Sequence, residues 1–430
     1  MLTLRRVLLI NRKLIVKQST VKLTVHRTSA LGNNCYQFHL SRSLYNESSS
    51  SLAKISRRGL LRINNSILNK TPHRYISPTV ALLIRPLTRI GALLFGRFFR
   101  KWWAKKTSEE KKLYIDWVSK QRQKIYGALG FFMASLFMFY IMNIEVDPLT
   151  GRSRFIIMTS NQQKVLGRLT FENYLENFKD FIVPTTHPAY KRLLRVVNRI
   201  LEANQDLPQI KEREWTLSVI DKDDPNAYVL PGGNIFVHIG ALKLTENDDQ
   251  LAIIIAHEVA HVLLQHPIEQ ISRNLLQDIL MAVPIAVVWA LFPDLLALLL
   301  QALGINMFDI LVTYPYSRKL ENEADNIGLQ LAAKACYDVR HAVVLWGIMR
   351  TLAELNIKPE VVPWLNTHPN HEDREKNLTK QLPLAIATRQ QSGCPILNPA
   401  DPIKYFNSLS LKEREIKMER RGFVQSKILL

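Results

Sequence analysis

Hydrophobic positions change their spacing several times along the chain, and each spacing predicts a different element. Residues 125–144 run for twenty positions without a charge and are rich in Leu, Phe, Met and Tyr. At a rise of about 1.5 Å per residue they match a hydrocarbon core of about 30 Å, which predicts a transmembrane helix. Ahead of them, residues 81–106 place Phe95, Phe98, Trp102 and Trp103 among Arg97, Arg100, Lys101 and Lys105. That mixture suits a segment lying on an anionic membrane surface, and equally an ordinary packed helix with a solvated basic face. Residues 107–124 read as a polar helix capped by Thr107 or Ser108. Beyond Asp147 the spacing becomes that of a water-soluble domain. Helices are expected over 161–181 and 188–204, and strands over 154–159 and 215–220. Two β-like runs flank Pro231-Gly232-Gly233-Asn234, a hairpin signal over 226–238. Thr245 or Asn247 then caps an apolar helix expected to reach about Arg273.

Residues 279–303 are again apolar but broken by Pro284, Pro293 and Asp294. Their charge-free pieces are too short to span a bilayer alone, so two short helices turning at Pro293-Asp294 are expected. This hairpin packs on the domain or dips into the bilayer and returns, and the dipping form is preferred here. A single crossing would separate two halves of the chemistry described below. The fold class expected is mainly α with a small β-sheet (α+β), behind one transmembrane helix.

Charge sharpens this division. The formal net charge is +20, yet residues 1–124 hold 26 of the 57 basic and 4 of the 37 acidic residues, a net of +22. The remaining 31 basic and 33 acidic residues give −2. The basicity therefore belongs to targeting and membrane orientation, and nucleic acid is not an expected partner of the body. The first 46 residues carry Arg5, Arg6, Arg12 and other bases with no acid, as mitochondrial transit peptides do. Lys120, Arg122 and Lys124 precede the apolar helix, and Glu145 and Asp147 follow it. By the positive-inside rule the N-terminal side stays in the matrix and the body faces the intermembrane space. Of three cysteines, Cys35 would leave with the presequence. Cys336 and Cys394 form no CxxC, which excludes a cysteine metal site and a disulfide scaffold; whether they pair is open.

The chemistry lies in residues 253–264, an apolar helix carrying His257, Glu258 and His261. Side chains four apart share a helix face, so both imidazoles can bind one metal ion, with Glu258 beside it as general base. A merely packed helix is the plain alternative, opposed by the cost of burying His, Glu and His without partners among Ile, Val and Leu. A site with two histidines needs a third protein ligand. Glu321 and Asp325 share a face four apart, Glu321 as the preferred ligand and Asp325 to hold a ligand histidine; Glu323 is the rival ligand. A metzincin would need histidine where Pro267 stands. Around 364–374, His368 and Arg374 are candidates to stabilise an oxyanion or support the site. The hairpin, through Asn226, Gly232, Gly233 and Asn234, is a candidate to align an extended peptide by strand addition.

Four stretches together resemble the HtpX-type and CaaX-prenyl-protease-type zinc metallopeptidases. They are Asn-Ala-x(3)-Pro-Gly-Gly at 226–233, HExxH at 257–261, Ser-Arg-x-x-Glu-x-x-Ala-Asp at 317–325 and Thr-His-Pro-x(4)-Arg at 367–374. The resemblance covers about residues 150–390, and the N-terminal features narrow it to the family's mitochondrial inner-membrane members. It implies a gluzincin-type domain with one zinc ion held by His257, His261 and Glu321, Glu258 as base, His368 as oxyanion stabiliser, and Asp325 and Arg374 in support. It also implies endoproteolysis of membrane proteins such as the inner-membrane dynamin-like GTPase, activation by loss of membrane potential, homo-oligomers and self-cleavage. The organisation expected is a transit peptide over 1–75, a basic membrane-surface segment over 76–124, the span over 125–144, the peptidase domain over 150–390 and a tail over 391–430. The competing reading is a catalytically inactive, zinc-stabilised membrane scaffold, against which the intact Glu258 speaks. Bacterial plasma-membrane quality control is opposed by the acid-free N-terminus.

Overall fold

The computed structural model describes residues 78–355 and 372–421. Nearly all the described residues belong to one compact unit, Pro72–Arg213 with Leu217–Leu430. It opens with α1 (Pro78–Ala104), α2 (Ser108–Lys120) and α3 (Arg122–Met142). Thr107 caps α2 through a reciprocal pair with Glu110. The hairpin β1 (Ile144–Val146) and β2 (Ser153–Phe155) follows α3 directly. Then come α4 (Ser160–Phe178), α5 (Pro188–Ala203), the short α6 (Pro208–Lys211), and the strands β3 (Thr216–Ile220), β4 (Ala227–Val229) and β5 (Asn234–His238). Buried Tyr190, Leu193, Val196, Val197, Ile200 and Leu201 recur every three or four residues along α5, which seats one face of it on the core.

The sheet order is β3-β5-β4, with Tyr228 opposite Phe236 in the antiparallel β4–β5 pair. The turn closes through Gly233, whose φ of 93° no side-chain-bearing residue adopts cheaply. Leu230 N–H donates to Asn234 O at 2.9 Å and Gly233 N–H to Leu230 O at 2.8 Å. β4 is an edge strand, and it packs beside the central helix.

That helix is α8 (Asp248–Leu263), reached through α7 (Ile239–Leu244) and capped by Asn247, whose side chain accepts from Gln250 N–H. Thirteen of its sixteen residues are buried, so it forms the core against which α5, β4 and later helices pack. The sequence places its end near Arg273; it stops at Leu263 instead. Gln265 takes a left-handed φ of 55°, and α9 (His266–Leu291) restarts with Pro267 in its first turn, where a missing N–H costs nothing. The strand expected over 154–159 is likewise only Ser153–Phe155; Ile156, Ile157 and Met158 continue as buried irregular chain.

The apolar hairpin turns at Phe292-Pro293, but its two arms are not short helices. α9 is 26 residues long, and α10 (Asp294–Phe308) runs through a π-helical turn, Asp309–Thr313, into α11 (Tyr314–Lys334). Helix length outran the charge-free pieces because the polar residues of 266–278 do not end the helix. Glu269, Ser272 and Asp278 are buried in α9, and Arg89 of α1 donates to Asp278 at 2.8 Å. The expectation of one transmembrane helix is not confirmed. Among the described residues three helical stretches, Arg122–Met142, His266–Leu291 and Asp294–Lys334, are long and apolar enough to cross a membrane. α1 lies along α9: a Cβ on Gly96 would meet Ala286 and Trp289, and Arg97 and Arg100 both reach Asp294 at the turn. α12 (His341–Glu354), α13 (Glu372–Gln391), α14 (Pro402–Ser408) and α15 (Leu411–Glu419) complete the described chain. Cys336, just beyond α11, is disulfide-bonded to Cys394, just beyond α13, with Cα atoms 5.2 Å apart.

Candidate metal centre

α8 presents His257 and His261 one turn apart, and α11 brings Glu321 to face them. The Nε2 atoms of the two histidines stand 3.0 Å apart. Glu321 oxygens lie 3.4 Å from His257 Nε2 and 3.5 Å from His261 Nε2. These three donors form the group among the described residues suited to hold a metal ion. The spacings agree with the edges of a tetrahedron of about 3.4 Å expected around zinc with bonds near 2.1 Å. All three side chains are buried or nearly so, and so is Glu258, one residue after the first imidazole.

α11 can deliver Glu321 only because of Gly328, two helical turns further along. A Cβ there would stand 2.9 Å from both Cα and N of His257. The absent side chain lets the two helix backbones touch. Glu321 and Asp325 precede Gly328 on the same face of α11, so both carboxylates meet the imidazoles.

Each imidazole is held from behind. Asp325 Oδ1 sits 2.9 Å from His257 Nδ1. Asp325 in turn accepts from Arg374 Nη2–H at 2.6 Å and Nε–H at 2.7 Å, and Arg374 Nη1–H donates to Glu321 at 3.0 Å. The guanidinium is 1% exposed and lies 3.7 Å from the Trp346 ring centre. Three of its N–H groups are committed to Asp325 and Glu321, so Arg374 lies behind the three donors. Burial alone would raise the Asp325 carboxyl; the Arg374 charge and His257 outweigh it and hold the group down to about 2. Burial lowers His257, but Asp325 and Glu321 reverse that and lift it to about 9 in the metal-free protein.

The second imidazole is backed by residues of which sequence reasoning weighed only Glu323, and that as a ligand. His261 Nδ1 lies 2.9 Å from His266 Nδ1, and His266 Nε2 lies 3.2 Å from Glu323 Oε2. Arg152, in the β1–β2 turn, donates from Nε–H to Glu323 at 2.9 Å and with both terminal groups to Glu269 at 2.7 Å. Burial would raise the Glu323 carboxyl, but hydrogen bonds from His266 and Arg152 hold it down to about 2. Glu323, the rival ligand, thus faces away from the donor triad. The signal that could have found this set is the His266-x-x-Glu269 spacing on α9, three residues apart on one face.

Of the other candidates, His368 lies outside the described residues. Asn226 O accepts from His238 N–H at 2.9 Å, which extends the β4–β5 ladder by one step. Gly232, Gly233 and Asn234 build the turn, and Gly232 packs on Gly167 of α4.

Residues 189–382 match Peptidase family M48. The chain is 37% identical over 337 residues to the protein named Metalloendopeptidase OMA1, mitochondrial, of Bos taurus, covering 78% of this chain and 64% of the relative. The protein of the same name in Danio rerio is 37% identical over 333 residues, 77% of this chain and 69% of the relative. Mitochondrial metalloendopeptidase OMA1 of Saccharomyces cerevisiae is 30% identical over 296 residues, 67% of this chain and 81% of the relative. The chain thus spans less than two thirds of the bovine relative's length.

Proposed function

This chain belongs to peptidase family M48, and from that premise we propose that it is a zinc-dependent endopeptidase of the mitochondrial inner membrane. The observation that carries the reading is the buried convergence of His257, His261 and Glu321 with Glu258 beside them. Two imidazole Nε2 atoms and a carboxylate fit zinc in donor chemistry and spacing, with the other face of each imidazole already engaged. When bound, zinc polarises a carbonyl oxygen and acidifies a water molecule. The rest of the work falls to the chain's own residues. Glu258 takes the proton of the attacking water and passes it to the departing amine nitrogen. An extended substrate segment adds to the edge strand β4, which fixes its scissile bond relative to α8. His368 is proposed as the donor to the developing oxyanion.

The apolar helices suggest that the substrates are themselves membrane proteins, the inner-membrane dynamin-like GTPase among them. The protein acts there in stress-responsive quality control, as a homo-oligomer, and contacts inner-membrane lipid. The matrix side receives the N-terminus and the intermembrane space the peptidase unit. Basic residues before α3, acidic ones after it, and the Cys336–Cys394 disulfide all agree with that orientation, since disulfides persist in oxidising compartments. The test is cleavage of an unstructured peptide by full-length protein purified in detergent and reconstituted in liposomes. Activity should vanish with a zinc chelator and return with added zinc. Cleavage that survives complete zinc removal contradicts the reading.

A further inference from the structure

The two ligand imidazoles are oriented by different devices. His257 is held directly by a carboxylate, Asp325, itself neutralised by Arg374. His261 is held by a second imidazole, His266, and the carboxylate stands one step further back, as Glu323 neutralised by Arg152. We infer that Arg152, Glu323 and His266 are positioning residues that fix His261 in the tautomer able to bind metal, and that the turn following α3 supplies the anchor. This inference rests on the metallopeptidase reading.

Hydrogen-bond directions around His261 admit one order of protons. For His261 Nε2 to offer a lone pair beside His257 and Glu321, the His261 proton must sit on Nδ1. Nδ1–H then donates to His266 Nδ1, which must accept. His266 therefore carries its proton on Nε2 and donates it to Glu323 Oε2. The opposite assignment would put a proton on His261 Nε2, 3.0 Å from His257 Nε2, and remove a ligand. Glu323 enforces the productive order because a carboxylate can only accept. Arg152 Nε–H donates to the same carboxylate at 2.9 Å and fixes it opposite His266 Nε2.

The same guanidinium clamps Glu269 with its two remaining arms, and the Tyr316 hydroxyl donates to that carboxylate as well. Glu269 is fully buried and His266 nearly so, so no water can substitute for a missing partner at low cost. The clamp joins three parts of the chain: α9 through His266 and Glu269, α11 through Glu323, and the segment after α3 through Arg152. Only nine residues separate Arg152 from Met142, the end of α3. Asp147, whose side chain accepts from Leu149 and Thr150 N–H at 2.8 and 3.0 Å and binds Arg154, holds that link rigid. The seat of an apolar, membrane-length helix is thereby tied to the tautomer of a ligand histidine.

The test measures zinc affinity of the full-length protein in detergent by competition with a chromogenic chelator, beside thermal unfolding of the zinc-free form. His266→Leu keeps the volume but cannot accept from His261, and is expected to weaken zinc binding by about 10- to 100-fold. His266→Gln can accept with its oxygen and donate with its amide nitrogen, and should recover most of that loss. Arg152→Gln leaves Glu323 without its counter-charge and should fall with His266→Leu. Wild-type affinity in His266→Leu overturns the inference, and so does a His266→Gln as weak as His266→Leu with unchanged unfolding, which would make the role one of packing. If Arg152→Gln does not fold, Arg152→Lys decides: it keeps the charge without the fork, and an affinity equal to wild type overturns the anchor role. Wild-type protein that holds zinc but cuts nothing refutes the peptidase reading and leaves this inference standing; failure of the wild type to bind zinc refutes both.

Discussion

Replacing Gly328 by Ala sets two well-understood effects against each other. In a helix interior, alanine is favoured over glycine by about 1 kcal/mol, so propensity alone predicts a more stable protein. The structure predicts the reverse. The new Cβ would lie 2.9 Å from His257 Cα and N and 3.1 Å from Ala256 C. All three are backbone atoms of α8, which cannot rotate aside as a side chain could, so the helices must part by about 0.5–1 Å to restore ordinary contact. Overpacking of this kind costs about 1–3 kcal/mol, and a backbone-to-backbone clash falls in the upper part of that range. The net loss is about 1–2 kcal/mol, which lowers Tm by roughly 2–8 °C for a unit of this size. The parting also withdraws Glu321 and Asp325 from the imidazoles, so zinc affinity should drop by about tenfold or more. Differential scanning calorimetry of the zinc-free protein and chelator competition of the loaded one read the two effects separately. A Tm raised by a few degrees with unchanged zinc affinity would refute the close-packing argument.

Three further outcomes follow from the same geometry. Arg374→Met removes the donors to Asp325 and Glu321 inside a buried cluster and should cost about 3–5 kcal/mol in urea unfolding, with Arg374→Lys failing to recover it because one ammonium cannot span both carboxylates. In the metal-free protein His257 is lifted from 6.5 to about 9; a raised folded value adds stability that is fully present below pH 6.5 and lost as pH rises through 9. Metal-free Tm should therefore fall across that window, and zinc binding at pH 7 should release about one proton per chain, measurable by titration calorimetry in buffers of different ionisation enthalpy. Reducing Cys336–Cys394 opens a loop of 58 residues, and the chain-entropy model gives a loss of about 4 kcal/mol, to be checked by denaturant unfolding with and without reductant.

The parts of the fold that local chemistry dictates were legible in the sequence. Each cap was narrowed to two residues, Thr107 or Ser108 and Thr245 or Asn247, because a cap needs only a hydrogen bond three residues away, and Pro231-Gly232-Gly233-Asn234 announces its hairpin through backbone geometry alone. His257, Glu258 and His261 stand out because their spacing on one helix alone suits a metal ion and a base beside it. Element lengths were less legible. The stretch between Arg273 and residue 279 read as a break between two elements, yet Glu269 and Asp278 find Arg152 and Arg89 far away in the chain, and one helix runs through it. The end of α8 at Gln265 depends on one left-handed residue that carries no side-chain signal. What lay beyond sequence reasoning were the contacts between distant segments: Gly328 against His257, Arg152 bridging α9 and α11, and the Cys336–Cys394 pair. Each depends on tertiary placement, and no periodicity encodes it.

Bound zinc and peptide cleavage, measured together in wild type, Glu258→Gln and His261→Ala, separate the base from the ligands most directly. Glu258→Gln should hold zinc like wild type and lose cleavage by about two to four orders of magnitude, as expected when a general base is removed, while His261→Ala should lose both. Zinc lost equally from both variants would contradict the assignment of Glu258 as base, and undiminished cleavage by Glu258→Gln would contradict the mechanism itself.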